Sequence, residues 1–354
     1  MKSILKATLL ITLIGIAYLF LWPVDLDPAA YTPPPNPGFQ GDFAKNNKLA
    51  AGELVLKDVG VGPEDIALSP DGLLYTGFAD GRIVQFSMEG KLLKEFANTG
   101  GRPLGMKFDT SGTLFVVDEE KGLLSIDTLG MITVLATEVA GTKIGYADDL
   151  DIAADGTIYF SDATQRSHDI IQEIWELQPT GRLLSYHPTT KETKVEMEGL
   201  RFANGVAIGS NDAYLLINET FGMVTHKYWL KGVKKGTSEV WKNDYPGFID
   251  NITYNGNGTF WVAIPNKRIV DFEVFYDKPF WRKVVKRLPE SWSGAIEPPP
   301  FGMVIGLDLE GEVLYNLQDS TGRISYVTSV NEFDGELWIG SLEMEAVGKY
   351  LLKK

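Results

Sequence analysis

Gly199-Leu200-Arg201-Phe202-Ala203-Asn204-Gly205-Val206-Ala207-Ile208 runs into the turn Gly209-Ser210-Asn211-Asp212, and this stretch decides the fold. A polar amide, Asn204, stands at the mouth of an apolar strand, and a turn marker follows it eight residues later. The same phase recurs along the chain. Gly72 lies eight residues after Glu64, Gly112 after Leu104, Gly156 after Asp148, Gly258 after Asp250 and Gly335 after Val327. The markers at 72, 112, 156, 212, 258 and 335 are separated by 40, 44, 56, 46 and 77 residues. Between the first two, four short strands fit: Ile66-Ala67-Leu68, Leu73 to Gly77, Arg82 to Phe86 and Lys91 to Phe96. Four short strands in about forty residues, repeated, mark the blades of a β-propeller.

Six markers predict six blades, hence an all-β, six-bladed β-propeller over residues 45–354. A pair of β-sandwiches would give no reason for the constant phase. The last unit is short by one strand, supplying only Leu337 to Gly340 and Val347 to Leu352. The unpartnered strand Gly52 to Asp58 is expected to complete it and close the ring, which removes the exposed sheet edges. Two gaps are lengthened by helical spacing, around Asp169 to Leu177 and within Asn266 to Phe301, where Phe280 to Leu288 is amphipathic. Insertions in propellers gather on one face, so both are expected to wall the central entrance.

Ahead of the repeats, Lys2 and Lys6 precede an apolar run from Ala7 to Trp22 that ends at Pro23. As a helix it nearly spans a hydrocarbon core of about 30 Å, and no small-residue cleavage pattern follows it. Residues 1–23 therefore read as an uncleaved signal anchor, a single pass with the N-terminus cytoplasmic and the propeller exported. Residues 24–44, with Pro33-Pro34-Pro35-Asn36-Pro37, read as a stiff stalk.

In a propeller the first strand of each blade lines the axis, so residues of equal phase form a ring. Glu64, Asp148, Asn204 and Asp250 should thus meet in one axial cavity, within reach of Asn251. Three carboxylates with amide oxygens, and neither nitrogen nor sulfur, suit a hard cation with flexible coordination, Ca²⁺ above Mg²⁺. Asp65 and Asp149, one position on, either hold a second cation or orient the first ligands. The remaining composition narrows the chemistry. The chain has no cysteine and three histidines, which excludes thiolate metal sites, disulfides and a cysteine nucleophile. A net charge of −14 argues against a nucleic-acid partner.

Gly62-Pro63-Glu64-Asp65, Gly101-Arg102-Pro103-Leu104-Gly105, Asp148-Asp149-Leu150-Asp151, Phe202-Ala203-Asn204-Gly205-Val206 and Asp250-Asn251-Ile252 occur in that order. Together with Gly181-Arg182-Leu183-Leu184 and Lys227 to Gly232, they resemble the strictosidine-synthase-like branch of the gluconolactonase and paraoxonase superfamily. The resemblance covers roughly residues 45–350. It implies a calcium-dependent propeller acting on small esters or lactones, with Glu64, Asn204, Asp250 and Asn251 as calcium ligands and Asp148 where an asparagine is usual. It also implies Asp250 as base or nucleophile, and a second calcium near Asp65 and Asp149. Two departures stand out. Leu104 and Glu119 occupy the places of the paraoxonase-type histidine dyad, and Glu332 is a poor match to the glutamate of true strictosidine synthases, so alkaloid condensation is not expected. His168, ahead of the first insertion, is placed to overhang the entrance as a proton shuttle. Trp175, Trp281, Trp292 and Phe301 either line an apolar substrate pocket or pack against the body. The competing expectation is a membrane-tethered binding platform in which calcium is structural.

Overall fold

The computed structural model of the protein describes residues 1–289 and 299–352. Its chain divides into two compact units. One gathers Met1–Pro33, Asp169–Gln178 and Ile269–Pro298; the other comprises Pro34–His168, Pro179–Arg268 and Pro299–Lys354.

The larger unit is the expected propeller, six sheets of four antiparallel strands each. The innermost strands are Ile66–Leu68, Pro103–Phe108, Ala147–Ile152, Ala203–Ile208, Ile252–Tyr254 and Val327–Phe333. Ala203–Ile208 is buried along its whole length, as a strand covered on both faces must be. Five of the six inner strands end in a turn where the marker glycine takes positive φ: Gly72 (+83°), Gly112 (+88°), Gly156 (+85°), Gly258 (+88°) and Gly335 (+80°); in the fourth the marker is Asp212, also at positive φ (+50°). Only glycine enters that region without steric cost, which is why the marker repeats. Glu53–Val55 pairs with Val347–Leu351, Leu54 opposite Gly348, so a strand from the front of the chain completes the last blade. Closure joins the chain ends across a sheet ladder.

Adjacent inner strands approach so closely that some positions exclude a side chain. A Cβ at Gly205 would lie 2.3 Å from the Ile252 nitrogen, and one at Gly105 would lie 2.5 Å from Asp149 Oδ1. Opposite these glycines stand carboxylates that fasten blade to blade. Asp65 Oδ2 accepts from the Met106 amide (3.1 Å), Asp149 Oδ2 from the Val206 amide (2.7 Å) and Asp151 Oδ2 from the Ile208 amide (2.9 Å).

The smaller unit is helical. Helix α1 (Lys2–Leu21) has 20 residues, a mean hydropathy of 2.2 and no buried residue, so it is long and apolar enough to cross a membrane. Its Thr8 and Thr12 hydroxyls donate to the Ile4 and Thr8 carbonyls one turn back, which satisfies both donors without water. The insertions form α2 (Ile170–Glu176), α3 (Val270–Glu273) and α4 (Pro279–Lys286). Asp169 caps α2 by accepting from the Ile171 amide at 2.9 Å. Fully buried Arg282 of α4 donates to the carbonyls of Trp175 (2.8 Å), Glu176 (3.1 Å), Tyr276 (3.1 Å) and Ala29, satisfying the exposed end of α2.

Residues 24–33 pack within the helical unit. Leu26 is buried, the Ala29 amide donates to the Glu176 carbonyl and the Tyr31 amide to the Tyr276 carbonyl. Within the propeller unit Phe43 enters the core of the fifth blade and Phe39 packs edge-on to Phe301. The prolines make the segment extended, but its apolar side chains carry it onto a surface.

Candidate metal centre

Glu64, Asp148 and Asp250 start the inner strands of blades one, three and five, and each offers a carboxylate oxygen within 4.8 Å of the others. Among the described residues this is the one such group of three. The two amides join it: Asn204 Nδ2 lies 3.4 Å from Asp148 Oδ2, and Asn251 Nδ2 donates to Glu64 Oε1 at 3.1 Å. All five predicted ligands thus converge, on chain segments up to 187 residues apart. Leu104 and Val327, at the same phase, are buried and contribute only apolar wall.

The electrostatics are those of an unbalanced anionic cluster. Burial, then the neighbouring charges of Asp250 and Asp148, push the Glu64 carboxyl well above the usual carboxylate range. Burial and Asp250 do the same to Asp148, where Arg102 partly offsets the rise. Burial raises Asp250 to about 7 despite its hydrogen bonds with Asn204 and the Asn251 amide. Three buried acceptors, Glu64 Oε2, Asn204 Oδ1 and Asn251 Oδ1, have no hydrogen-bond partner. Buried acceptors seldom go unsatisfied. An all-oxygen set with orphaned acceptors and excess negative charge is what a hard cation repairs, so these residues fit Ca²⁺.

Asp65 and Asp149 are differently placed. Asp65 Oδ1 accepts from Asn331 Nδ2 and Asp149 Oδ1 from the Leu150 amide, in addition to the blade-to-blade bonds above. Every oxygen of the pair already has a donor, which suits an orienting role better than a second ion.

Sequence reasoning missed a further ring, on the second strands. Asp118, Asp162, Asn218 and Ser341 each lie six residues after a turn marker, and each is fully buried. Asp162 Oδ1 accepts from the amides of Gly145 and Tyr146 at 2.9 Å while its Oδ2 pairs with Arg182, fixing the approach to Asp148. Asn218 Nδ2 donates to the Asp250 carbonyl at 2.5 Å, while Thr225 Oγ1 donates to Asn218 Oδ1 (2.6 Å) and is itself bonded to the Tyr245 hydroxyl (2.7 Å). The triplet beginning at Asn218 matches a glycosylation pattern, yet the side chain is locked in the core. The constant offset from the turn marker was the signal for this ring.

His168 stands beside the cluster's outer wall. Its Nδ1 lies 2.9 Å from Glu119 Oε1, and its ring packs 5.5 Å from that of Tyr146. Burial raises the Tyr146 phenol well above its usual range, reinforced by the charges of Glu119 and Asp148. Phe301 is core, Trp175 is buried against Phe272 at 4.6 Å, Trp281 is half-exposed, and Trp292 lies outside the described residues. Glu332 accepts from Trp261 Nε1 (2.7 Å) and Asn255 Nδ2 (2.8 Å), a structural tie within the sheets.

Residues 148–233 match the strictosidine synthase family and residues 41–86 the strictosidine synthase-like N-terminal family. The adipocyte plasma membrane-associated protein of Bos taurus is 32% identical over 95% of this chain and 87% of its own. The chain belongs to the strictosidine synthase-like family. Strictosidine synthase-like protein 10 of Arabidopsis thaliana, another relative, is 34% identical over 82% of this chain and 85% of its own. Among solved structures, this strictosidine synthase-like protein resembles a gluconolactonase of Xanthomonas campestris (TM-score 0.63, 15% identity, 94% of this chain and 99% of that one). It also resembles the calcium-binding protein regucalcin of Agrobacterium tumefaciens (TM-score 0.58, 12% identity, 85% and 93%). At such identities the likeness is one of fold.

Proposed function

We propose that this strictosidine synthase-like protein is a membrane-anchored, calcium-dependent hydrolase of small esters or lactones. The observation that carries the reading is the convergence of Glu64, Asp148 and Asp250 with three orphaned acceptor oxygens at one axial point. The fold shared with a gluconolactonase and a calcium-binding regucalcin supports it.

Glu64, Asp148, Asn204, Asp250 and Asn251 would hold Ca²⁺, which when bound supplies Lewis acidity toward a carbonyl oxygen. Asp250 is the candidate base or nucleophile. It alone of the three carboxylates is partly exposed, its ionisation sits near neutrality, and Asn218 fixes its backbone. Arg102 has Nε and Nη2 buried without partners, donors that suit a substrate oxygen. His168, half-exposed and paired with Glu119, is positioned to pass a proton to bulk water in place of the missing histidine dyad. In the same reading α1 holds the chain in the membrane with its N-terminus cytoplasmic and the propeller on the far side, where Lys2 and Lys6 set the orientation.

The test is turnover of arylester and lactone panels by the full chain in detergent, with and without chelator, and in Asp250→Asn. Activity lost on chelation at temperatures where the fold persists, and reduced about 10²-fold or more in the variant, is the expected result. Undiminished turnover in Asp250→Asn would remove that residue from the mechanism. Leu104 in the histidine position favours one alternative, a non-catalytic propeller with structural calcium. That reading expects chelation to lower the melting temperature with no hydrolysis to lose.

A further inference from the structure

The helical unit exposes apolar side chains that the hydrolase reading does not use. Phe280 is 52% exposed and Trp281 46% on α4, and Val270 of α3 and Val274 at its end are 57% and 54% exposed. α4 is amphipathic, yet it buries Arg282 and Val284 and turns Phe280 and Trp281 outward. Around them stand Lys283, Lys286 and Arg287, with no acidic residue between Pro279 and Arg287. A cationic, aromatic surface on a chain of net charge −14 is a local exception.

Where that surface lies relative to α1 fixes its depth. The 20 residues of α1 make a helix of about 30 Å, close to the hydrocarbon thickness of a bilayer. With the basic N-terminus at one headgroup layer, the turn Tyr18 to Trp22 reaches the other, and Tyr18 and Trp22 pack at 6.0 Å as interfacial aromatics do. α4 docks on this turn. Phe280 stacks on Phe20 at 5.9 Å and Trp281 meets it edge-on at 6.2 Å. Arg287 donates to the carbonyls of Leu19 (3.0 Å) and Trp22 (2.7 Å), and the Tyr18 hydroxyl donates to the Arg287 carbonyl (3.2 Å). An α4 tied to the end of the span cannot be far from the headgroups.

We propose that α4 is an interfacial membrane contact. Phe280 and Trp281 enter the boundary between acyl chains and headgroups, and Lys283, Lys286 and Arg287 meet lipid phosphates. The anchor is then a span plus a helix lying in the interface, which restricts rotation of the helical unit about α1. The inference rests on α1 spanning the bilayer and is independent of catalysis.

With no native cysteine, single-cysteine variants take a nitroxide label at one place only. The full chain carrying Phe280→Cys, Trp281→Cys or, as an exposed propeller control, Val233→Cys is reconstituted into phosphatidylcholine–phosphatidylglycerol vesicles. Collision with oxygen, which partitions into lipid, is compared with collision with a water-soluble nickel chelate. A severalfold higher oxygen-to-nickel ratio at 280 and 281 than at 233 is expected. The unlabelled chain offers a second reading, since quenching of its fluorescence by brominated lipid should fall in Trp281→Phe. Ratios at 280 and 281 equal to that at 233, in chain recovered with the vesicles, would overturn the proposal and leave the face to solvent or a protein partner. Recovery of the chain in an alkaline-carbonate supernatant would remove the span itself, and this contact with it.

Discussion

At the scale of single residues, the centre is a conflict between burial and charge. Glu64, Asp148 and Asp250 are drawn together by backbone geometry, not by any attraction among themselves, and each is pushed toward its neutral form. With folded values raised above an unfolded range near 4, the metal-free native state binds protons that the unfolded state releases. Stability from these groups is therefore present at low pH and is lost as pH rises toward 7, the value for Asp250. Melting of the chelated protein between pH 5 and 8 should show a falling temperature, shallower in Glu64→Gln. Added Ca²⁺ should raise the melting temperature more at pH 8 than at pH 5, since protons compete for the same oxygens. A calcium effect greater at the acidic end would contradict this account. These ligands were legible in the sequence because Glu64, Asp148 and Asp250 sit eight residues before a turn glycine and Asn204 eight before Asp212, with Asn251 one place on from Asp250. His168 and Glu119 were not brought together by that reading, since they belong to loops whose paths no repeat dictates.

At the scale of elements, the blades are joined by inner strands that touch backbone to backbone. Gly205→Ala adds one methyl group, but the methyl meets the Ile252 nitrogen at 2.3 Å and a main chain cannot swing aside. The expected cost is about 1–3 kcal/mol, toward the upper end, read from the denaturant midpoint. A shift within 0.3 kcal/mol would mean the blades slide more freely than this contact allows. The pairing of such glycines with Asp65 and Asp149 was visible only as an alternation of Asp and Gly at one phase. Its meaning, a carboxylate accepting the neighbouring blade's amide where no side chain fits, needs two strands in view. Asp162 with Arg182 is similar: Gly181-Arg182 stands out in the sequence, but the carboxylate that Arg182 clasps lies on another strand.

For the whole molecule, the ring depends on Glu53–Val55 completing the last blade. Three residue pairs form a modest ladder, yet without them Val347–Leu351 becomes a bare edge. Comparing chains that begin at Pro34 and at Lys57 by size-exclusion chromatography should show the longer one monodisperse and the shorter one oligomeric or aggregated. Equal behaviour would show that closure contributes little. The helical unit also belongs to this scale. It is assembled from three separated pieces of chain, and Arg282 ties its own piece to the other two through the carbonyls of Trp175, Glu176 and Ala29.

The blade count, the closing strand and the ring of oxygen ligands were all set by local pattern. Strand periodicity and a positive-φ glycine act over a few residues, so they can be read without knowing where the chain goes next. The pairing of His168 with Glu119, the burial of Asn218 behind Asp250 and the docking of α4 on the end of α1 came only with the tertiary structure. Each joins residues that no periodicity relates. Their contact is decided by which loops and helices find apolar surface to cover, a property of the packed whole.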